Sequence, residues 1–195
     1  MSNRANPGRL RRELRFSKSK VTQNLVDAGL DFTQAKPLMD ALFEPNGFLT
    51  LYGSELMLLE KALGLKGGVQ AVDLVGELIS VKRVPANTGV SYGYLTKTTA
   101  KTNLGLVAIG FSDGLPRSAT NKFKVQIAGE TFAGIGRIAM DQCVVDLGNT
   151  EPTLGCEVSF FSESCPISQW AQESGFSSLE ILGRMAERVS RTWVE

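Results

Sequence analysis

Apolar residues recur at helical spacing in the first third of the chain, between residues 20 and 63. Gly29 follows the first apolar stripe and Gly64 follows the last, so helix ends are predicted at both. Pro37 suits the first turn of a helix that continues through residue 43. Residues 48–52 form a short strand candidate. The positions that carry the helical pattern are Val21, Leu25, Ala28, Leu38, Met39, Leu42, Phe43, Leu56, Leu59 and Leu63.

From residue 69 onward the pattern changes to short β-like runs separated by Gly, Asn, Asp, Pro and Ser. Ala128-Gly129-Glu130 lies between two runs and predicts a tight hairpin. No crossover helix fits between the runs, so we expect an antiparallel barrel or sandwich rather than a parallel sheet. The seven runs cover residues 72–84, 90–94, 104–109, 123–127, 131–135, 143–147 and 157–161.

Two helices are predicted to close the chain. The second has an S-x-x-E capping box at Ser177 and Glu180, ahead of an apolar stripe that extends to Val189. These patterns predict three parts: a flexible basic arm at 1–20, a helical extension at 21–68 and a β domain at 69–195.

Composition excludes several kinds of chemistry. The 195 residues include no histidine, which removes Ser-His-Asp and Cys-His pairs and every His-ligated metal. Cys143, Cys156 and Cys165 lack C-x2-C spacing, so they predict reduced thiols in a cytoplasmic protein and no metal site. Apolar stretches such as 104–110 are far shorter than the ~20 residues of a membrane span, so no membrane partner is expected.

Charge is concentrated at the N-terminus. Residues 1–20 contain seven basic residues and only Glu13 as an acid, so the arm carries six net positive charges and the other 175 residues carry five net negative charges. Such an arm is typical of a solvated, frayed terminus. The alternatives are part of a transit peptide and a tail that binds nucleic acid or an acidic partner.

Two segments contain candidate chemistry. Residues 109–117 lead from a strand into a Gly-flanked loop with Phe111, Asp113 and Arg117, and residues 134–142 contain two glycines followed by charged and amide side chains. Each segment also has an i, i+4 ion pair that can simply hold its loop: Asp113 with Arg117, and Arg137 with Asp141.

At these segments the sequence resembles the C-terminal β domain of alanine racemases, which are pyridoxal-phosphate enzymes. The resemblance covers residues 48–195 and implies a closed or partly open antiparallel β-barrel with short helices at both ends. The motifs that carry it are Leu49-Thr-Leu-Tyr-Gly53, Val90-Ser-Tyr-Gly93, Gly110-Phe-Ser-Asp-Gly114 with Arg117, Gly136-Arg-Ile-Ala-Met-Asp-Gln142, Leu154-Gly155, Glu180-Ile-Leu182 and Arg188-Val-Ser-Arg191.

Two departures from the family set the functional expectation. Only 47 residues precede the resemblance, too few for the family's (β/α)8 barrel, and neither Lys18 nor Lys20 has the context of its cofactor lysine. Phe111 occupies the position of the family's catalytic tyrosine, and a phenyl ring has no ionisable proton. We therefore expect no catalytic residue and no bound pyridoxal phosphate. As a packing residue, Phe111 should be largely buried.

The resemblance also implies binding residues. Met140 corresponds to the residue whose backbone N–H binds the substrate carboxylate, and Arg137 to one that lines the entry corridor. Asp113, Arg117, Asp141 and Gln142 are expected to support them. The alternative for Met140 and Ile138 is inward packing without a ligand.

The expected function is that of a non-catalytic interaction or ligand-binding module. The alternative is a fragment or subunit of a racemase whose barrel lies on another chain. The expected partner is a second copy, through Leu38, Leu42, Phe43 and Leu56, or a barrel-containing protein.

Overall fold

The computed structural model of the chain describes residues 10–41 and 53–195. Short 3-10 helices cover Tyr92–Tyr94, Phe111–Asp113 and Arg117–Ala119. The strands in these ranges are β1 Glu13–Ser17, β2 Val72–Val84, β3 Gly89–Val90, β4 Thr96–Lys97, β5 Thr102–Val107, β6 Lys124–Ile127, β7 Glu130–Gly134, β8 Cys143–Gly148, β9 Glu157–Phe161 and β10 Ser190–Val194. The helices are α1 Lys18–Asp27, α2 Phe32–Ala41, α3 Gly53–Ala62, α4 Ile167–Ser174 and α5 Ser178–Gly183.

Six strands close into an antiparallel barrel in the order β2-β5-β8-β7-β6-β9, and β9 pairs again with β2. The 13-residue β2 makes closure possible, because residues 78–84 pair with β5 while residues 74–77 pair with β9. Inside, Trp170 packs against Phe123, Phe160 and Phe161. The predicted antiparallel barrel is confirmed.

Two further strands extend the sheet beyond the barrel. β1 pairs antiparallel with β2, and β10 pairs parallel with β1. The expectation that the whole of 1–20 is flexible is therefore wrong for residues 13–17. The strand signal was concealed because Glu13 and Arg15 alternate with Leu14 and Phe16, whose side chains are at most 1% exposed.

The last predicted helix is shorter than its apolar stripe indicates. The capping box at Ser177 and Glu180 is present and starts α5, but α5 ends at Gly183. Met185 and Val189 are buried in turns instead, and the chain then continues into β10. Residues at this spacing can reach the core from turns as well as from a helix, so the apolar stripe overestimates the length of α5.

Smaller differences affect the first helices and the segment after β2. Asp31 accepts hydrogen bonds from two amides of the following turn, so α2 begins at Phe32 and Pro37 lies inside it rather than in its first turn. Of the predicted strand 90–94, only Gly89–Val90 forms, before a 3-10 turn. The strand candidate at 48–52, Leu42 and Phe43 lie outside the described residues.

The helical extension packs on the core through α1 and α3. Asn24 is buried, and its amide donates to the carbonyls of Ala62 and Val69 and accepts from the Val69 N–H. Leu38 is half-buried against the core, whereas Leu56 is 37% exposed. Among the described residues, no helix combines the length and the apolarity that a membrane span needs.

The three cysteines are free. Burial raises the pKa of the Cys143, Cys156 and Cys165 thiols above the ordinary value. Neutral thiols are poor nucleophiles and poor metal ligands, so the raised pKa values do not favour redox or metal chemistry at these cysteines.

The hairpin between β6 and β7 allows a direct test of the turn. Ile127 pairs with Glu130 across a two-residue loop in which Ala128 has φ 52° and Gly129 has φ 85°. These angles fit a type I′ turn, in which Asn-Gly is preferred. We expect Ala128→Asn to stabilise the chain by about 0.5–1 kcal/mol, part of the ~1–2 kcal/mol that a left-handed Cβ costs. Urea denaturation measures the change.

Gly129→Ala is the matched control. No atom lies within 4 Å of the added Cβ, so only backbone strain acts, and we expect a loss of about 1 kcal/mol. Equal midpoints for all three proteins would contradict the turn assignment.

Candidate functional site

The two motif loops meet at one end of the barrel. Val107 at the end of β5 pairs with Cys143 at the start of β8, so the loop after β5 and the loop before β8 emerge side by side. We call Gly110–Gly114 loop A and Gly136–Gln142 loop B. The fold thus brings together residues 109–117 and 134–142, the two segments that the sequence predicts as a site.

Backbone hydrogen bonds join the two loops. The Phe111 N–H donates to the Ala139 carbonyl and the Ser112 N–H to the Met140 carbonyl, each at 2.9 Å, and the Ser112 hydroxyl donates to the Met140 carbonyl at 2.6 Å. A Cβ at position 110 would overlap the carbonyl oxygens of Ala139 and Met140. Gly110 therefore permits the close approach.

Asp113 is the buried anchor of loop A. Its carboxylate has no solvent exposure, accepts the Gly110 N–H at 2.7 Å, and lies 3.3 Å from Arg12 Nε and 2.6 Å from Arg188 Nε. The predicted pair with Arg117 is wrong. Arg117 begins a 3-10 helix, and its guanidinium lies over the Phe111 ring, 4.9 Å from the centroid.

The predicted pair of Asp141 with Arg137 is also wrong, because Asp141 lies 2.7 Å from Arg188 Nη2. The hydrogen bond from Arg188, followed by one from Ser112, holds the pKa of the Asp141 carboxyl below its usual value. The Arg137 guanidinium has no carboxylate partner within 4.0 Å among residues 10–41 and 53–195. Within these ranges it is therefore a cation without an ion-pair partner.

Arg137 lies in a groove beside loop B. The segment 91–95 forms the opposite wall, where Tyr92 and Tyr94 are each 69% exposed. Ser91 (φ 60°) and Tyr94 (φ 46°) have left-handed backbones, and the Ser91 hydroxyl is fixed by donating to the Arg137 carbonyl at 2.7 Å. Backbone strain held in this way is common at binding sites. The lining residues are Ser91, Tyr92, Tyr94, Leu106, Arg137, Ala139, Gln142 and Val144.

The backbone of Met140 offers an unused donor. Its N–H donates no hydrogen bond to any residue that the structure describes, and its side chain is 55% exposed, whereas Ile138 is 1% exposed. Inward packing therefore holds for Ile138 but not for Met140. The free N–H can bind a carboxylate.

Phe111 is half-buried, which differs from the largely buried ring expected of a packing residue. One face packs against the core and Arg117 covers the ring. The phenyl ring has no ionisable group, so the side chain at position 111 cannot exchange a proton.

The lysines do not fit covalent attachment of pyridoxal phosphate. Such a lysine is normally desolvated, which lowers its pKa and makes it nucleophilic, and none of the residues lining the groove is a lysine. Every lysine in the described ranges is exposed except Lys20, which is half-buried and lies 3.0 Å from Glu163.

Sequence reasoning missed Arg12, Arg188 and Ser112 as parts of the site. Arg188 belongs to a motif that resembles the family, but nothing in its spacing indicates that it reaches loops A and B. Arg12 lies in the basic arm, where its charge was interpreted as solvated. Both contacts depend on the pairing of β1 with β10, which local patterns do not reveal.

The fold and the loops define a six-stranded antiparallel barrel domain with a candidate site at one end. The chain belongs to the family described as alanine racemase, C-terminal domain, whose model matches residues 71–193.

Its relatives are alanine racemases. That of Streptomyces coelicolor is 42% identical over 125 residues, which cover 62% of this chain and 32% of the relative, and that of Aquifex aeolicus is 36% identical over 124 residues. The solved alanine racemase of Streptomyces lavendulae has a TM-score of 0.64 at 38% identity and covers 71% of this chain and 37% of its own. The chain spans about a third of the length of these relatives.

Substitutions at Phe111 test the environment of the ring. We expect Phe111→Tyr to change the free energy of unfolding by less than about 0.5 kcal/mol, because a half-buried position lets a hydroxyl reach water. Phe111→Ala should cost about 1–2 kcal/mol, less than the ~3–5 kcal/mol of a fully buried phenylalanine. Thermal and urea unfolding measure both.

Arg117→Met serves as the control, with an expected loss of about 0.5–1 kcal/mol from the cation–π contact. If Phe111→Tyr instead cost about 1–3 kcal/mol, the hydroxyl would be buried without a partner, against the exposure described above.

The Asp141–Arg188 pair predicts a dependence on pH. Because the folded pKa of Asp141 is lowered, its stabilising contribution is complete above the ordinary aspartate pKa and is lost as the pH falls through the lowered value. We expect NMR titration of the Asp141 carboxyl carbon to give a midpoint below about 3.9. In Arg188→Met the midpoint should rise, and an unchanged midpoint would refute the pairing.

Proposed function

We propose that this chain by itself is a non-catalytic interaction or ligand-binding module related to D-alanine metabolism, with a cytoplasmic location. The observation that carries the proposal is a pair of anion donors without protein partners in the described part of the chain, beside a loop whose aromatic residue is a phenylalanine rather than a tyrosine. The Met140 N–H and the Arg137 guanidinium lack protein partners among the described residues, whereas position 111 is a phenylalanine.

A carboxylate is the chemical group that this surface fits best. An uncompensated guanidinium and a free backbone N–H both attract anions, and the residues lining the groove include no acid. Tyr92 and Tyr94 add rigid aromatic surface beside the cation. The resemblance to alanine racemases supports the same assignment, because Met140 and Arg137 match the substrate-side positions of that family. Asp113, Asp141, Gln142 and Arg117 then act as supporting residues.

The groove is also suited to protein association. Tyr and Arg are enriched at the energetic centres of interfaces, and Met at interfaces generally. Tyr92 and Tyr94 in the groove are each more than half exposed, as are Leu95 and Met140, which neighbour groove residues in the sequence. The proposed partner is a second copy or a barrel-containing protein. Nucleic acid is outside the proposal, because Arg11, Arg12 and Arg15 are paired with carboxylates.

The alternative function is that of a fragment or subunit of a pyridoxal-phosphate-dependent alanine racemase completed by a barrel on another chain. The solved relatives favour it, because this chain matches about a third of each. Phe111 argues against it, because position 111 carries no phenol, although Tyr92 and Tyr94 in the groove do.

We predict that the purified chain mixed with pyridoxal phosphate shows no internal-aldimine absorbance and no racemisation of alanine. The reasons are the exposure of its described lysines and the phenylalanine at position 111. Absorbance spectra and a chiral assay of alanine measure this, with the Streptomyces coelicolor racemase as the positive control. A stoichiometric, borohydride-trappable Schiff base on one lysine would contradict the prediction.

Association can be tested with groove variants. We expect sedimentation velocity to show concentration-dependent association that Tyr92→Ser weakens and Leu154→Ser leaves unchanged. Leu154 is 59% exposed but does not line the groove. Equal weakening by both variants would contradict a specific surface.

A pull-down of the tagged chain distinguishes the two functions. Recovery of a barrel-containing racemase with the wild type, but not with Tyr92→Ser, would favour the subunit alternative. A strictly monomeric chain that recovers no partner would refute association.

A further inference from the structure

The Arg188 side chain joins the two site loops. Its Nε lies 2.6 Å from an oxygen of Asp113 in loop A, and its Nη2 lies 2.7 Å from Asp141 in loop B. The same Nη2 donates a hydrogen bond to the Ser112 hydroxyl. One guanidinium therefore contacts the side chains that connect loop A to loop B.

Arg12 reaches the same place from the N-terminal segment. Its Nε donates to the Ala108 carbonyl at 2.7 Å and lies 3.3 Å from Asp113, and its Nη2 donates to the Asp141 carbonyl at 3.4 Å. Arg12 directly precedes β1 and Arg188 shortly precedes β10, and these strands are parallel neighbours. Both arginines thus enter the site from the strands that lie outside the barrel.

The orientation of the Met140 N–H follows from these contacts. The Ala139 carbonyl and the Met140 N–H belong to one trans peptide, so they point in opposite directions. Because the Ala139 carbonyl accepts the Phe111 N–H, the Met140 N–H is directed away from loop A. The next peptide is held as well, since the Met140 carbonyl accepts both the N–H and the hydroxyl of Ser112.

We propose that Arg188, assisted by Arg12, is a positioning residue that presets the Met140 N–H to receive an anionic group. Arg188 acts through Ser112 and Asp141 and has no contact with the ligand. The segments outside the barrel are then part of the binding site. The inference rests on the proposed function, in which Met140 binds a carboxylate.

The variants must separate the positioning of Met140 by Arg188 from a contribution of Arg188 to the stability of the fold. Asp113 is fully buried, so Arg188→Met leaves Arg12 as its one cationic partner among the described residues and destabilises this end of the barrel. Ser112→Ala avoids this difficulty, because it removes the hydroxyl that Arg188 orients and leaves the buried pair intact. Arg83→Met is the matched control: Arg83 is exposed and donates to the Gly148 carbonyl and to Asn149.

The test follows backbone amides of the full chain by NMR. Sodium acetate is the carboxylate probe, and sodium chloride at equal ionic strength is its control. We expect acetate to shift the Met140 amide saturably in the wild type and in Arg83→Met. In Arg188→Met and Ser112→Ala the affinity should fall roughly ten- to hundredfold, the range of charge-assisted hydrogen bonds. Wild-type affinity in both variants would overturn the proposal.

Hydrogen exchange separates local positioning from global stability. The amides of Phe111 and Ser112 report the bonds between the loops, and that of Val145 in β8 reports the barrel. We expect at least tenfold faster exchange at Phe111 and Ser112 in Arg188→Met, with a smaller change at Val145. Equal acceleration at all three would overturn the positioning role.

The acetate titration and the exchange rates together distinguish a failure of the proposed function from a failure of the positioning role. If acetate does not shift the wild-type Met140 amide, the carboxylate assignment of the proposed function fails. The exchange rates then still decide whether Arg188 positions the two loops, because selective acceleration at Phe111 and Ser112 supports that role and its absence refutes it.

Discussion

Asp113 carries a charge that the fold has enclosed without solvent contact, and the site end of the barrel depends on how that charge is compensated. Burying a lone carboxylate costs several kcal/mol, so its partners must be in place whenever the chain is folded. The Gly110 N–H, Arg12 and Arg188 are those partners, from three distant parts of the sequence. The conformation of loop A therefore depends on the pairing of β1 and β10 with the sheet.

This requirement explains why the N-terminal segment forms a strand at Glu13–Ser17 despite its high charge. Arg15 pairs with Glu157 through two bonds of 2.9 and 2.7 Å and also contacts Glu13, while Leu14 and Phe16 are buried on the opposite face. Alternation of core and ion-paired residues makes β1 a strand. The positive charge of the arm is thus used in part for internal contacts.

Much of the barrel could be predicted from sequence because its information is local. Short β-like runs bounded by turn residues located β2 and β9, and Ala128-Gly129-Glu130 located the hairpin. Pairing across long separations left no such signal, so β1 and β10 were missed. In the site, motif resemblance pointed to Met140 and Arg137, whose binding role stays a prediction. The i, i+4 spacing assigned the wrong partner to Asp113, because spacing describes proximity along one element and the true partners come from other elements.

The bonds between the two loops hold the Met140 N–H independently of the side chain at position 111. The orientation of the Met140 N–H depends on backbone bonds from Phe111 and Ser112, and those bonds require an amide at position 111 but no particular side chain. Replacing a tyrosine with phenylalanine at this position would remove the phenol and leave the amide in place. A chain with Phe111 therefore keeps the same backbone donor that a chain with tyrosine at this position would have, so the geometry of the Met140 N–H is independent of the side chain at position 111.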